Sequence, residues 1–353
     1  MEEFIARPAA IRGAAAAIEQ LGGMGKYITN IAASEVSVTS NSDVLVDASR
    51  EFERVQTALL DAYGPTGPYG DMMEGAAQAM RSIAKEYETV DADSAARLDS
   101  LLPDLGGVPS YFSFDSPGID ESSYAEIGND IESVALDQYD DFMKISKTIN
   151  YIIDCKWVGD ILETVGIPNE IAKVEVKLGA EWDQVGVSVA AIDQCRKCMR
   201  SFAGDLTGVW AGLEGKWQGR AAASACDHFN AVARVLRDHS NGLGALTQRI
   251  IAEMHAVRSS VDTMNDLLEQ LIQELPGPQS FSELFSSAIE DGLDEPFRKL
   301  LQRVKMFKAA FDVALTLAFG VNALFAQLCR FNEDVNFPPI PSWDAPDVNG
   351  GSR

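Results

Sequence analysis

The sequence predicts an all-α protein, an elongated helical bundle built from antiparallel helical hairpins. Apolar residues recur at steps of three and four along most of the chain, and no convincing run of alternating apolar and polar residues indicates a strand. With 353 residues, of which 46% are hydrophobic and 23% charged, the chain can bury a sizeable core. The composition is therefore typical of a folded protein and not of a disordered acidic tail.

The longest periodic pattern begins at Trp182 and continues beyond a short break at residues 215–219. Before the break the apolar positions form one heptad series: Val185, Val189, Ile192, Cys195, Met199, Phe202, Leu206, Val209 and Leu213. After it they form another: Phe229, Val232, Leu236, Leu243, Leu246, Ile250, Met254, Val257, Val261, Met264, Leu268 and Leu271. Two such series joined by a short break predict an antiparallel hairpin. At 1.5 Å per residue the second arm, roughly 80 Å, overhangs the first, roughly 48 Å, so we expect residues 281–329 to cover the overhang.

The N-terminal third repeats this design on a smaller scale. A helix through Val55 and Leu59, a Gly/Pro-rich turn at residues 64–70 and a return helix predict a second hairpin, which we place at residues 44–98. A weaker helix, interrupted by glycines at 22, 23 and 25, precedes it. We divide the chain into a small-hairpin region, a linker, a long-hairpin region, a C-terminal helical segment and a disordered tail: residues 1–102, 103–130, 131–275, 276–330 and 331–353.

Charge, cysteine and histidine content restrict the function. Lys and Arg number 29 against 53 Asp and Glu, a net charge of −24, which repels phosphate backbones and argues against a nucleic-acid partner. Five cysteines form no disulfide framework, and three histidines are few for an enzyme. The start Met-Glu-Glu-Phe-Ile does not resemble a Sec signal peptide. We therefore expect a protein that is cytosolic or exported by a Sec-independent route.

Two short motifs stand out. Trp217-Gln218-Gly219 lies at the break between the long arms, where the indole can cover the end of a two-helix core and the glycine permits close approach. Tyr87 and Asp91 lie four residues apart near the end of the small hairpin, so one helix face presents both a phenol and a carboxylate. Tyr87 also follows the apolar spacing and is equally consistent with a core position.

Taken together, these motifs resemble those of the WXG superfamily of type VII secretion substrates. The Trp-x-Gly bend, the small residues 220–225 after it and Phe229 resemble the WXG and PPE-like hairpin. The Tyr-x-x-x-Asp stretch resembles the secretion signal of PE-like relatives, and both hairpins in one chain resemble the EspB-type arrangement. A second Trp-x-Gly begins at Trp210, inside the first arm, and we favour Trp217 because it lies at the break. The long low-complexity C-terminal region of EspB-like proteins is absent.

The resemblance implies a non-enzymatic protein that is exported folded by the type VII machinery and acts at the cell surface or outside the cell. Tyr87, Asp91, Trp217 and Gly219 would form its secretion signal and should then lie close in space. The implied partners are the secretion ATPase and a chaperone, and the sequence leaves self-association open. Two alternatives remain: the trafficking module of a polymorphic toxin, and a cytosolic helical scaffold that binds a basic partner.

Other chemistry-bearing residues favour structural roles. Cys195 and Cys198 are interpreted as buried apolar side chains, with a disulfide within one helical turn as an alternative, and no metal site or cofactor is expected. His228, His239 and His255 are interpreted as surface or partly buried residues. Residues 308–328 form the most apolar run, which we interpret as a core helix, with membrane contact as the alternative. No phosphate loop, nucleophile elbow or zinc motif is found.

Overall fold

The computed structural model confirms the predicted all-α class. It describes residues 5–38, 44–89, 139–164, 166–179, 181–275, 295–333 and 335–340. Of the residues it describes, 87% are helical. The predicted linker at residues 103–130 lies outside the described residues.

Ten helices and one pair of two-residue strands make up the described part of the chain. The helices are α1 (Pro8–Gly23), α2 (Gly25–Glu35), α3 (Leu45–Tyr63), α4 (Pro68–Thr89), α5 (Asp140–Asp154), α6 (Lys156–Thr164), α7 (Glu170–Leu178), α8 (Trp182–Leu213), α9 (Arg220–Glu274) and α10 (Glu295–Glu333). The strands are β1 (Ile5–Ala6) and β2 (Trp217–Gln218), which pair antiparallel. The sequence did not predict either strand, because two residues are too few to show alternation.

Helix α9 is the axis on which the molecule is assembled. It is unbroken over 55 residues, and α8, α5 and α10 all pack against it. On the α8 side, Arg237 donates hydrogen bonds to Thr207 Oγ1 at 2.6 Å and to the Ala203 carbonyl oxygen at 3.4 Å. On the α5 side, Asp141 accepts from Arg258 and His255.

Helix α10 packs along α9 from Glu295 onward, and residues 281–294 of the segment expected to cover the second arm lie outside the described residues. Arg303 forms an ion pair with Glu274 at 2.7 Å at one end, and Arg249 donates to Gln327 Oε1 at 3.3 Å further along. The buried side of α10 includes Phe307, Phe311, Ala314, Ala318, Val321, Phe325 and Leu328. By length and composition, Arg298–Asn332 is the one helix in the described ranges that could cross a membrane.

The N-terminal third differs from the expected two-helix hairpin. Helix α4 packs mainly against α1 and only slightly against α3, which instead packs on α10 and α2. Gly22, which was expected only to weaken the first helix, makes this packing close, since a Cβ there would lie 2.9 Å from Met73 Cβ on α4. Gly25 allows a similar approach of α2 to α3, since a Cβ there would lie 2.5 Å from the Tyr63 carbonyl oxygen. Because α1 and α4 are far apart in the sequence, a local sequence pattern does not reveal that they pack together.

The segment before α8 and the tail both show departures from the predicted boundaries. The helical stretch predicted for residues 131–165 is described from Asp140 and is broken at Cys155 between α5 and α6. The predicted disordered tail was wrong for residues 331–333 and 335–340: α10 continues to Glu333, and Phe337 packs against Tyr63 and Tyr69. These aromatic contacts join residues that are far apart in the sequence, so a local sequence pattern could not predict them. Residues 341–353 lie outside the described ranges.

Two glycines of the long arms should respond oppositely to alanine. A Cβ at Gly242 of α9 would overlap the Phe331 ring of α10, whereas a Cβ at Gly208 of α8 meets nothing within 4 Å. We expect Gly242→Ala to destabilise the protein by about 1–3 kcal/mol through overpacking. Gly208→Ala should stabilise it by up to about 1 kcal/mol through helix propensity. Urea unfolding of both variants checks this, and equal shifts would contradict the close approach of α9 and α10.

Candidate functional site

The turn that joins α8 to α9 requires glycine at two positions. Gly215 has φ +69° and Gly219 has φ +129° with ψ −173°, a backbone conformation essentially restricted to glycine. Gly219 is also the residue from which α9 begins. The backbone conformation therefore explains why the Trp-x-Gly motif has glycine at position 219. The sequence alone had suggested only that glycine permits a close approach at this position.

Trp217 anchors the start of the described chain to this turn. Ala6 pairs with Trp217 and Ile5 with Gln218, and the Arg7 amide donates to the Lys216 carbonyl oxygen at 2.8 Å. The Trp217 side chain is 2% exposed, and its Nε1 is buried with no hydrogen-bond acceptor among the described residues. Trp217 thus holds β1 in place, while Gln218 and Gly219 remain exposed.

Tyr87 lies half-buried near the end of α4, where that helix meets the beginning of α1. Its neighbour Glu88 forms an ion pair with Arg12, and Arg81 forms one with Glu19. Arg12 is four residues into α1, which corresponds to roughly 6 Å along the helix from Pro8. The end of α4 therefore lies beside the start of α1, directly after the strand that pairs with Trp217.

The structure thus places three of the four predicted signal residues at one end of the molecule. Tyr87 is linked to it through α1, and Trp217 and Gly219 form it. Asp91 lies outside the described residues. We call this region, formed by β1, β2, the 214–219 turn and the ends of α1 and α4, the Trp217 end.

The second Trp-x-Gly match also lies at the Trp217 end. Trp210 is partly buried on α8, and its ring centroid is 6.3 Å from that of Trp217. Gly212 is buried within the last turn of α8. Trp210 therefore packs beside Trp217 from inside a helix.

The disulfide considered for Cys195 and Cys198 is not formed. Both are free cysteines with 0% exposure, and Cys195 Sγ lies 3.7 Å from the Ile28 carbonyl oxygen on α2. Burial raises the pKa of Cys195 well above its ordinary value and that of Cys198 to about 12. Since oxidation proceeds through the thiolate, this burial disfavours a disulfide.

Two histidines that were expected to be surface or partly buried residues are buried. His228 is 5% exposed and His239 is 3% exposed. A gap in the heptad series indicates the burial of His239 in the sequence. Leu236 is followed by Leu243, a step of seven, and His239 fills the missing core position between them. Among the described residues, no group of three or more His, Cys, Asp or Glu side chains could hold a metal ion.

His239 connects three helices through a hydrogen-bond chain that the sequence did not reveal. Asn332 Nδ2 donates to the Leu328 carbonyl oxygen at 2.8 Å, so its Oδ1 is free to accept from His239 Nε2 at 3.0 Å. His239 Nδ1 then accepts from the Tyr63 hydroxyl at 2.8 Å. A neutral imidazole satisfies every partner in this chain, which joins α3, α9 and α10.

Comparisons with protein-family models, with curated proteins and with solved structures find no match to this chain. Its function is therefore inferred from its own residues and their arrangement.

Proposed function

We propose that the protein is a non-enzymatic substrate of a type VII secretion system, exported folded by this Sec-independent route to act at the cell surface or outside the cell as an effector or assembly component. The proposal is carried by one observation: the Trp-x-Gly turn and the Tyr87 end of α4 lie at the same end of the bundle, joined by β1 and α1. A signal assembled from two distant stretches of sequence requires such proximity.

The proposal includes the WXG-like hairpin formed by α8 and α9 running antiparallel. Arg237 contacts Ala203 and Thr207, whereas Arg196, nearer the start of α8, lies against Gly244, further along α9. Contacts that move backward on one helix as they move forward on the other support this direction. The PE-like part would then comprise α1, α3 and α4, since α1 is the main partner of α4.

The proposed signal divides into a supporting and an exposed part. Trp217 is too buried to contact the secretion ATPase or a chaperone directly, so it would act by holding the turn and β1 in position. Exposed Gln218 and Gly219, together with Tyr87 and Asp91, would contact the secretion ATPase, or a chaperone before export. Such a surface is displayed only by the folded protein, which is consistent with export in the folded state.

Export in a native or related host tests the proposal. We expect wild type to reach the medium only when the secretion ATPase is present, and Tyr87→Ala and Trp217→Ala to remain in the cells. Tyr151→Ala and Trp157→Ala are matched controls, because Tyr151 on α5 and Trp157 on α6 are 44% and 46% exposed and lie outside the Trp217 end. Both controls should be exported like wild type, as measured by blotting medium and cell pellet.

Loss of folding must be separated from loss of the signal. Trp217→Ala removes a buried indole and can cost about 3–5 kcal/mol, so cellular levels and helix content are compared with wild type. Tyr87→Ala affects a half-buried side chain and gives the cleaner result. Export of both variants at wild-type levels, or ATPase-independent release of wild type, would overturn the proposal and favour a cytosolic scaffold.

A further inference from the structure

The chain after α10 crosses the bundle instead of leaving it. We call residues 335–340 (Val335, Asn336, Phe337, Pro338, Pro339 and Ile340) the C-terminal strap. The Phe337 ring packs edge-on against Tyr63, with centroids 6.0 Å apart and planes at 86°, and lies 5.6 Å from the Tyr69 ring. Tyr63 ends α3 and Tyr69 lies in the first turn of α4, so one aromatic side chain of the strap bridges two helices.

The last two residues of the strap, Pro339 and Ile340, lie against different helices, α9 and α4. The His228 ring on α9 lies beside the Pro339 backbone, which offers it only a carbonyl oxygen because proline has no N–H. On α4, Gly75 leaves room for Ile340, since a Cβ at that position would overlap the isoleucine δ-methyl group. We call this feature the strap groove; it is formed by Tyr63, Tyr69, Gly75 and His228.

The chemistry of strap and groove is that of extended-peptide recognition. Two consecutive prolines favour a polyproline II conformation, which loses little conformational entropy on binding and offers no backbone donors. Aromatic walls are the usual complement of such segments. Hydrogen bonds hold both tyrosines in position. The Tyr63 hydroxyl donates to His239 Nδ1, and the Tyr69 hydroxyl donates to the Leu21 carbonyl oxygen at 3.1 Å. The groove walls therefore belong to the helical core and not to the strap.

We propose that the strap groove is a peptide-binding site for extended Phe-Pro-Pro-Ile segments, which the chain's own strap fills and which the same segment supplied in trans fills when the strap is removed. Phe337 is the anchor because its ring packs against both tyrosines. Ile340 and Pro339 fix the direction of the peptide through Gly75 and His228. This inference is independent of secretion, because the groove uses none of the proposed signal residues.

The test uses the full-length chain with its own strap weakened. We expect the double variant Phe337→Ala/Ile340→Ala to bind a fluorescein-labelled peptide of residues 335–341 saturably, as measured by fluorescence anisotropy. Wild type, whose groove is occupied, should bind the same peptide at least tenfold more weakly. A peptide carrying Phe337→Ala is the matched control and should not bind the double variant.

A second variant shows whether a loss of peptide binding results from misfolding. Ile340→Asp alters a side chain that is 36% exposed and leaves the Phe337 anchor in the protein, so the core is retained. We expect it to bind the peptide with an affinity between those of wild type and the double variant. Circular dichroism verifies the helix content of both variants. Absence of peptide binding to folded Ile340→Asp and to the double variant, or equal binding by wild type, would overturn the proposal.

Discussion

Phe325→Ala is expected to destabilise the protein by about 3–5 kcal/mol. The Phe325 side chain on α10 is 1% exposed, and its ring centroid lies 4.7 Å from that of Phe52 on α3. Asn322, one turn earlier, donates to the Val44 carbonyl oxygen and fixes the same contact. Because α10 also covers α9, removing this ring leaves a cavity between helices that belong to distant parts of the chain. Urea unfolding followed by circular dichroism measures the effect.

Phe319 provides the matched control on the same helix. Its side chain is 47% exposed, so Phe319→Ala should change stability by no more than about 0.5 kcal/mol. The pair decides how the apolar helix α10 is used. A core helix gives a large difference between the two variants, whereas a membrane span that merely rests on the bundle gives similar, small effects. Similar effects would contradict the packing of α10 against α3.

Acidification from pH 7.5 to pH 5 should destabilise the protein through two buried histidines. Burial lowers the pKa of His239 to about 4, against the opposing effect of its hydrogen bond to Asn332, and burial likewise lowers the pKa of His228 to about 4. In the unfolded chain both residues bind protons below their ordinary pKa of about 6.5. The unfolded state therefore takes up more protons, and stability present above pH 6.5 is lost progressively as the pH falls toward 4.

The expected loss at pH 5 is about 2 kcal/mol for His239 and less for His228, which is the less deeply enclosed of the two. Protonation also reverses the hydrogen bond to Tyr63: Nδ1–H becomes the donor, and the hydrogen of the Tyr63 hydroxyl loses its acceptor. His239→Gln, which keeps a donor and an acceptor but does not titrate, should flatten the pH dependence. The measurement is urea unfolding at pH 7.5, 6 and 5, all above the pI of about 4.4. Equal slopes for wild type and His239→Gln would contradict this prediction.

Helix positions were largely predictable because their signal is local. The first long arm was predicted from Trp182 to Leu213 and has those bounds, since a heptad series records which face of one helix is buried. The lengths of the two arms also predicted that a later segment packs on the second arm, and α10 packs along it. Long-range partners were less predictable: α4 packs mainly on α1, where Gly22 permits an approach that no periodicity encodes.

Buried polar groups and the tail show where a local pattern is insufficient. The missing core position between Leu236 and Leu243 indicated that something other than an apolar residue was buried there, but its partners Tyr63 and Asn332 are 176 and 93 residues away. Likewise, Asn-Phe-Pro-Pro-Ile has the composition of an unstructured tail. Its Phe337 nevertheless packs against Tyr63 and Tyr69, which lie in a distant part of the sequence.

The sequence by itself determined that this protein is helical and acidic, where its long arms begin and end, and that a Trp-x-Gly turn joins them, because each of these depends on spacing within one segment. Tertiary structure decided which helices are partners, that Trp217 is buried against β1, that Tyr87 lies at the same end, and that the C-terminal strap crosses the bundle. These features arise from contacts between segments up to hundreds of residues apart. Such contacts form only when burial of apolar surface outweighs the entropy of closing the intervening chain.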